Sequence, residues 1–221
     1  MTQTRLETAT GGANKVVVKW PREKLGRVCV IVRGSSPRPK GDARYYGGNV
    51  PRLMVEDCTR DGIYVTPRID CLTDEGAKLS RPMVAGDVVI VVSGNPGLPA
   101  ILAVDCCIHD GFVGLRQLNK DKVSAVYLYH YLSFIKSHTD AQATGAIFRN
   151  LTTDQVGNIE ISLPSLANQE RMVARLRDEM GAAQDIQNAF DGRLKSIEAL
   201  PATLLAQAFQ GSAALPSGIS D

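Results

Sequence analysis

From Leu166 to Ala208 the chain reads LANQERMVARLRDEMGAAQDIQNAFDGRLKSIEALPATLLAQA, and this stretch divides the protein into two kinds of sequence. Val173, Leu176, Met180, Ala183, Ile186, Phe190, Leu194, Ile197, Leu200, Leu204 and Ala208 recur every three or four residues. That spacing lines one face of an α-helix. It predicts one long helix, or two broken near Pro201, where proline removes a backbone donor. A helix of about 35 residues is on the order of 50 Å long, more than a small globule can cover, so part of the seam is expected to meet another helix. Gly181 and Gly192 lower helix propensity and Ala183 packs thinly, so the seam departs from a strict heptad. The expectation is a coiled-coil-like arm over residues 166–211 and a flexible tail over 212–221.

Upstream the period changes. Val16–Val18, Val28–Arg33, Ile63–Thr66, Asp87–Val92 and Ala100–Cys106 are β-branched or apolar runs bounded by Gly, Pro or Asp, which reads as strands. Two turn-rich stretches lie among them, Gly34–Asp42, carrying Arg38 and Lys40, and Ser93–Pro99. Loops of this kind, mounted on a sheet, are common seats for binding residues, and they also serve as plain connections. One helix is marked by Asp121 as cap and by Val123, Tyr127, Tyr131 and Ile135 every fourth residue. At that spacing Tyr127, Tyr129 and Tyr131 read as core, with a base-stacking platform as the other reading. A glycine-containing turn at Thr144–Ala146, a capping box Thr152…Gln155 and a short strand Ile159–Leu163 closed by Pro164 complete the series. The fold class is therefore α+β: a globular domain of sheet and helices over 15–165, after a flexible leader at 1–14.

Composition narrows the function. With 44% apolar and 22% charged residues in 221, the chain can form a core and is not generally disordered. No apolar run reaches the ~18 residues of a membrane span, and Met1–Asn14 has no apolar signal region, so no membrane association is expected. Five cysteines without a C-x-x-C pair argue against a disulfide scaffold or zinc ribbon and for a reducing cytoplasm. Residues 1–150 hold 20 Lys and Arg against 14 Asp and Glu, whereas 151–221 hold 5 against 9. A basic body with an acidic rear fits a polyanion-binding module joined to something that does not touch the polyanion. No dinucleotide fingerprint, phosphate loop, nucleophile elbow or adenine-methylating motif is present. His109, His130 and His138 are scattered; His109-Asp110 reads as a turn before Phe112, and Cys106-Cys107 as buried thiols. Catalysis by this chain is not expected, which leaves its loop-borne arginines and lysines and a nucleic-acid reading.

Along the chain run Trp20-Pro21…Leu25-Gly26, Ile31–Pro39, Tyr45–Pro51, Gly86–Ile90 with Ser93–Gly97, and His109–Arg116. Tyr127–Leu132, Thr144–Leu151, Ile159–Pro164 with Gln169-Glu170-Arg171, and Leu204–Gly211 follow them. In this order the segments resemble the specificity subunits of type I restriction–modification systems. The resemblance implies a target recognition domain followed by a helical arm. Such subunits usually carry two recognition domains held apart by two antiparallel helices. One domain and one arm look like a half-subunit, for which the resemblance implies a homodimer reading a bipartite palindromic DNA site. It also implies an adenine methyltransferase partner that uses S-adenosylmethionine, with no cofactor in this chain, and, in some complexes, a restriction and translocation subunit. The setting implied is the prokaryotic cytoplasm and phage defence.

The residues expected to touch DNA are Arg38, Lys40, Arg44, Tyr45, Arg52, Arg68, Asn95, Arg116 and Arg149, and those expected in the dimer arm are Leu176, Met180, Ile186, Phe190 and Ile197. Pro164–Gln169 departs from the family's usual Pro-rich, Glu-Gln form, leaving the arm's docking partner less defined than the recognition domain. Two alternatives stand beside this reading. One is a truncated interaction protein that competes for methyltransferase without sequence-specific DNA binding. The other is a small enzyme built on His109 with Cys106 or Cys107.

Overall fold

Val88, Ile90 and Val92 pack into one apolar cluster while Val89 and Val91 pack into another, so consecutive side chains of one strand feed two separate cores. A strand buried on both faces belongs to the middle layer of a three-layer stack. The structure, a computed structural model, describes residues 20–141 and 152–209. The strands are β1 (Arg22–Lys24), β2 (Val30–Arg33), β3 (Tyr46–Leu53), β4 (Tyr64–Val65), β5 (Asp70–Leu72), β6 (Arg81–Met83), β7 (Val88–Val91), β8 (Pro99–Leu102), β9 (Cys106–Ile108), β10 (Phe112–Arg116) and β11 (Glu160–Ser162). The helices are α1 (Val55–Asp61), α2 (Asp74–Leu79), α3 (Ala125–Ala141), α4 (Thr153–Gly157) and α5 (Leu166–Phe209).

The middle layer is a five-stranded sheet in the order β2-β10-β7-β8-β4, antiparallel except for β4 beside β8. One face meets Tyr127, Leu128 and Leu132 of α3 and Val156 of α4. The other meets a four-stranded sheet, β5-β3-β9-β6, through Leu53, Met83, Cys106 and Ile108. Each fully buried Val, Ile or Leu adds roughly 1.5–3 kcal/mol of apolar burial. A third, two-stranded ribbon pairs β1 with β11.

The chain divides between Val173 and Ala174, inside α5, into two compact units. In the first, the Gln169 amide is fully buried and fully used. Its Nε2 donates to the carbonyls of Lys122 (2.7 Å) and Pro164 (2.9 Å), and its Oε1 accepts from Ser124 N–H (3.0 Å). In the second, the seam is bare: Met180, Ile186, Phe190, Leu194 and Ile197 are all more than half exposed. No helix among the described residues is long and apolar enough to cross a membrane.

Several local expectations change. The run Ala100–Cys106 is two strands in different sheets, because Ala103–Asp105 turns outward and Asp105 Oδ1 accepts from Ala85 N–H (2.8 Å). Helix α3 is capped by Ser124, whose Oγ accepts from Tyr127 N–H (3.1 Å), and not by Asp121. Pro201 leaves α5 a single helix. The capping box at Thr152 and Gln155 is present. The expected strand Val16–Val18, the turn at Thr144–Ala146, the leader and the tail lie outside the described residues.

Candidate functional site

The Gly34–Asp42 loop leaves the end of β2 and is pressed against the β9–β10 turn. Gly34 N–H donates to the Phe112 carbonyl (3.0 Å) and Ser35 N–H to that of Ile108 (3.1 Å). A Cβ on Gly34 would sit 1.9 Å from the His109 carbonyl oxygen, so only glycine permits this approach. The result is a cleft of about 400 Å³, whose lining includes Arg33, Ser36, Arg38, Lys40, Arg52 and Asp110. Tyr46, Met54, Ser93, His109 and Gly111 contribute the rest of its wall. Four cationic residues therefore line the cleft together with one acidic residue, Asp110.

Arg52 is the cleft's buried anchor, only 5% exposed on β3. Its Nη1 pairs with Asp70 of β5, its Nη2 donates to Ser36 Oγ (3.1 Å), and its guanidinium lies 5.5 Å from the Tyr46 ring centroid. Tyr46 is fixed in turn by its hydroxyl, which donates to the Pro37 carbonyl (2.9 Å). Ser36 Oγ then donates to Asp110 Oδ1 (2.8 Å), and that bond holds the Asp110 carboxyl below the usual carboxylate range. Asp110 Oδ2 meets Arg38 Nη2 only at 3.5 Å.

His109 accepts at Nδ1 from Gly111 N–H (2.9 Å), and burial, helped by the nearby Arg52 charge, lowers its pKa. It is therefore neutral at pH 7, with its proton on Nε2. Among the described residues, Arg52 Nε and His109 Nε2 are the buried side-chain polar atoms without a hydrogen-bond partner, and both belong to residues of this cleft.

Of the residues singled out in the sequence, Arg38, Lys40 and Arg52 come together here. Asn95 shares the β7–β8 loop with the cleft residue Ser93. Arg44 and Tyr45 immediately precede the cleft residue Tyr46. The Arg44 guanidinium stacks 5.1 Å from the Tyr45 ring and pairs with Asp42 (2.7 Å), whose carboxyl it lowers to about 2. Arg68 and Arg116 do not line the cleft. Arg116 ends β10, opposite the Gly111 end, and lies 4.0 Å from buried Asp87. Arg149 lies outside the described residues.

Ser36, Tyr46 and Asp110 were not among the expected contact residues. Asp110 was legible only as part of a turn, since nothing local connects it to Ser36. As for an enzyme built on His109, burial pushes the Cys106 thiol up to about 12 and raises that of Cys107. Protonated, buried thiols make poor nucleophiles.

Comparison with known proteins agrees with this architecture. Residues 18–188 match the model of the type I restriction modification DNA specificity domain. A putative type I restriction enzyme MjaX specificity subunit from Methanocaldococcus jannaschii is 33% identical over 160 residues, covering 72% of this chain and 36% of that protein. The HsdS subunit from Thermoanaerobacter tengcongensis superposes with a TM-score of 0.63 at 26% identity, over 91% of this chain and 47% of that one. A chain from work on complex assembly and conformational transition of the type I R-M system gives 0.67 at 25% identity, over 89% and 47%. The chain thus spans less than half the length of the proteins it matches.

Proposed function

Because the chain belongs to the family of type I restriction modification DNA specificity domains, we propose that its body reads a DNA sequence and that residues 174–209 pair with the same helix of a second copy. The observation that carries the first half is the cleft. Arg33, Arg38 and Lys40 line it from β2 and the Gly34–Asp42 loop around the buried Arg52 of β3, and Arg44 and Asn95 stand close by in sequence. Arginine forks and lysines hold phosphates and read base edges.

Support for the second half is the bare seam. Residues 174–209 form roughly 54 Å of helix at 1.5 Å per residue, bearing Ile186, Phe190 and Ile197 at 59%, 66% and 61% exposure. A contiguous apolar face of that kind marks a protein contact. A two-fold dimer would carry two recognition bodies and so read a bipartite palindrome.

In this reading the chain supplies selection. Adenine methylation, by base flipping and with S-adenosylmethionine as methyl donor, belongs to a partner methyltransferase, joined in some complexes by a restriction subunit. The test is to exchange residues 15–165 for the equivalent domain of a relative and map methylated adenines in cells. A changed target sequence is the expected result, and an unchanged one overturns the reading. Affinity of the chain for duplex DNA should also fall steeply with salt as condensed counterions are released. Methyltransferase binding without any sequence preference would favour the truncated competitor instead.

A further inference from the structure

Asp110 is out of place in a cleft that only gathers phosphate. Its side chain is 55% exposed among Arg33, Arg38, Lys40 and Arg52, and an ionised carboxylate there repels a DNA backbone. It is nonetheless held in position by a chain of contacts that runs through the buried Arg52. Asp70 holds Arg52, and Arg52 Nη2 donates to Ser36 Oγ. A guanidinium has no acceptor, so the Ser36 oxygen must accept from it, and its single hydroxyl proton is left to point at Asp110 Oδ1. Oδ1 is thereby satisfied. Oδ2 makes only the 3.5 Å contact to Arg38, on a side chain that is 55% exposed.

We propose that Asp110 is a sequence-reading residue, its Oδ2 accepting from an exocyclic amino group on a base edge in the major groove, cytosine N4 or adenine N6, with Ser36 and Arg52 as its positioning residues. This rests on the DNA-reading function proposed above. A carboxylate is suited to the task because it can only accept, so it rewards an amino group and penalises the carbonyl of guanine or thymine at the same place. Its like-charge conflict with the backbone lowers affinity for every sequence equally, a cost that only the correct base offsets. Arg38 completes the device: its long contact with Oδ2 is the one a base amino group displaces, which turns that guanidinium toward the phosphates.

The test is selection of bound duplexes from a randomised pool by the full-length chain, followed by competition titrations, for the wild type, Asp110→Asn and Ser36→Ala. Asp110→Asn keeps an acceptor for the Ser36 hydroxyl, and matching thermal transitions confirm that it folds. The expected result is that discrimination at one base pair falls about 5- to 100-fold, while affinity for unrelated DNA holds or rises. Ser36→Ala should relax the same base pair by a smaller factor, and a cytosine or an adenine at that pair identifies the amino group read. An unchanged preference in both variants overturns the proposal, as does a uniform loss of affinity across sequences. If the wild-type chain itself selects no sequence, it is the DNA-reading function that has failed.

Discussion

The isoleucines of the core and those of the long helix meet different surroundings. In the body, Ile90, Ile101 and Ile108 are at most 1% exposed, packed between two sheets or under α3. In residues 174–209, Ile186 and Ile197 are about 60% exposed. The residue type is the same, so the difference lies in what surrounds it. The body closes its layers on its own side chains, whereas a lone helix has nothing to close against and leaves its apolar face in water. Stability of the body is thus a property of one molecule, while the helix seam becomes stabilising only in the presence of a second surface.

The sharpest way to break this contrast is to charge the seam. Replacing both Ile186 and Phe190 by Asp should abolish the proposed dimer in light scattering, and leave the melting of the body untouched. A surviving dimer would move the interface elsewhere. The body should respond the opposite way: Ile101→Ala, which opens a cavity in a closed core, is expected to cost about 2–5 kcal/mol in denaturant titration while leaving the proposed dimer intact. Ile197→Ala in the charged, monomeric background serves as control, with an expected effect within about 0.5 kcal/mol, because an exposed side chain loses little on truncation.

Gln169 sharpens the comparison at the point where the two kinds of sequence join. It lies on α5 yet is fully buried in the body, and all three of its bonds go to backbone groups. Gln169→Leu keeps the volume and strands Ser124 N–H together with two carbonyls. The expected loss is about 1–3 kcal/mol for each group left unsatisfied, an effect that Gln184→Leu, on the exposed part of the same helix, should not show. Equal responses at the two positions would mean that the first turns of α5 do not belong to the body.

How much of this could be read beforehand follows from where the information lies along the chain. The seam of α5 and the run Val88–Val92 were legible because a single period, 3.6 or a continuous apolar stretch, spans the whole element. Strand β3 was not, because Gly47-Gly48-Asn49 interrupts any alternation and its register shifts between Tyr46 and Val50. Pro51 and Pro82 likewise disguise β3 and β6, and β5 is only three residues long. At the site, Arg38, Lys40 and Arg52 announced themselves by charge. The bond between Ser36 and Asp110 joins residues 74 apart in sequence, and it exists only because Gly34 lets the loop lie against the β9–β10 turn. Charge is a local property that sequence carries; positioning is a tertiary one.

The smallest expected effect is a dependence on pH, and it belongs to the body alone. Burial, and for His109 also the neighbouring Arg52, holds the pKa values of His109 and His130 below the ordinary histidine range. In the unfolded chain both titrate near 6.5, so at mildly acidic pH the unfolded state binds more protons than the folded one. Their contribution is fully present above about pH 6.5 and is lost as pH falls through the lower, folded-state values. The depressed carboxylates behave alike but at lower pH: those of Asp42 and Asp110 lose their contribution only below about pH 4. The two windows are therefore separable. Between pH 7 and 5 the denaturation midpoint of the wild type should slope downward, and His109→Gln, which cannot take up a proton, should make that slope shallower without removing it, since His130 remains. The Ile186→Asp, Phe190→Asp variant should keep the wild-type slope, because neither histidine lies in residues 174–209. A slope indifferent to His109 but altered by the charged seam would reverse the assignment of the two regions, tying acid sensitivity to association and not to the packed body.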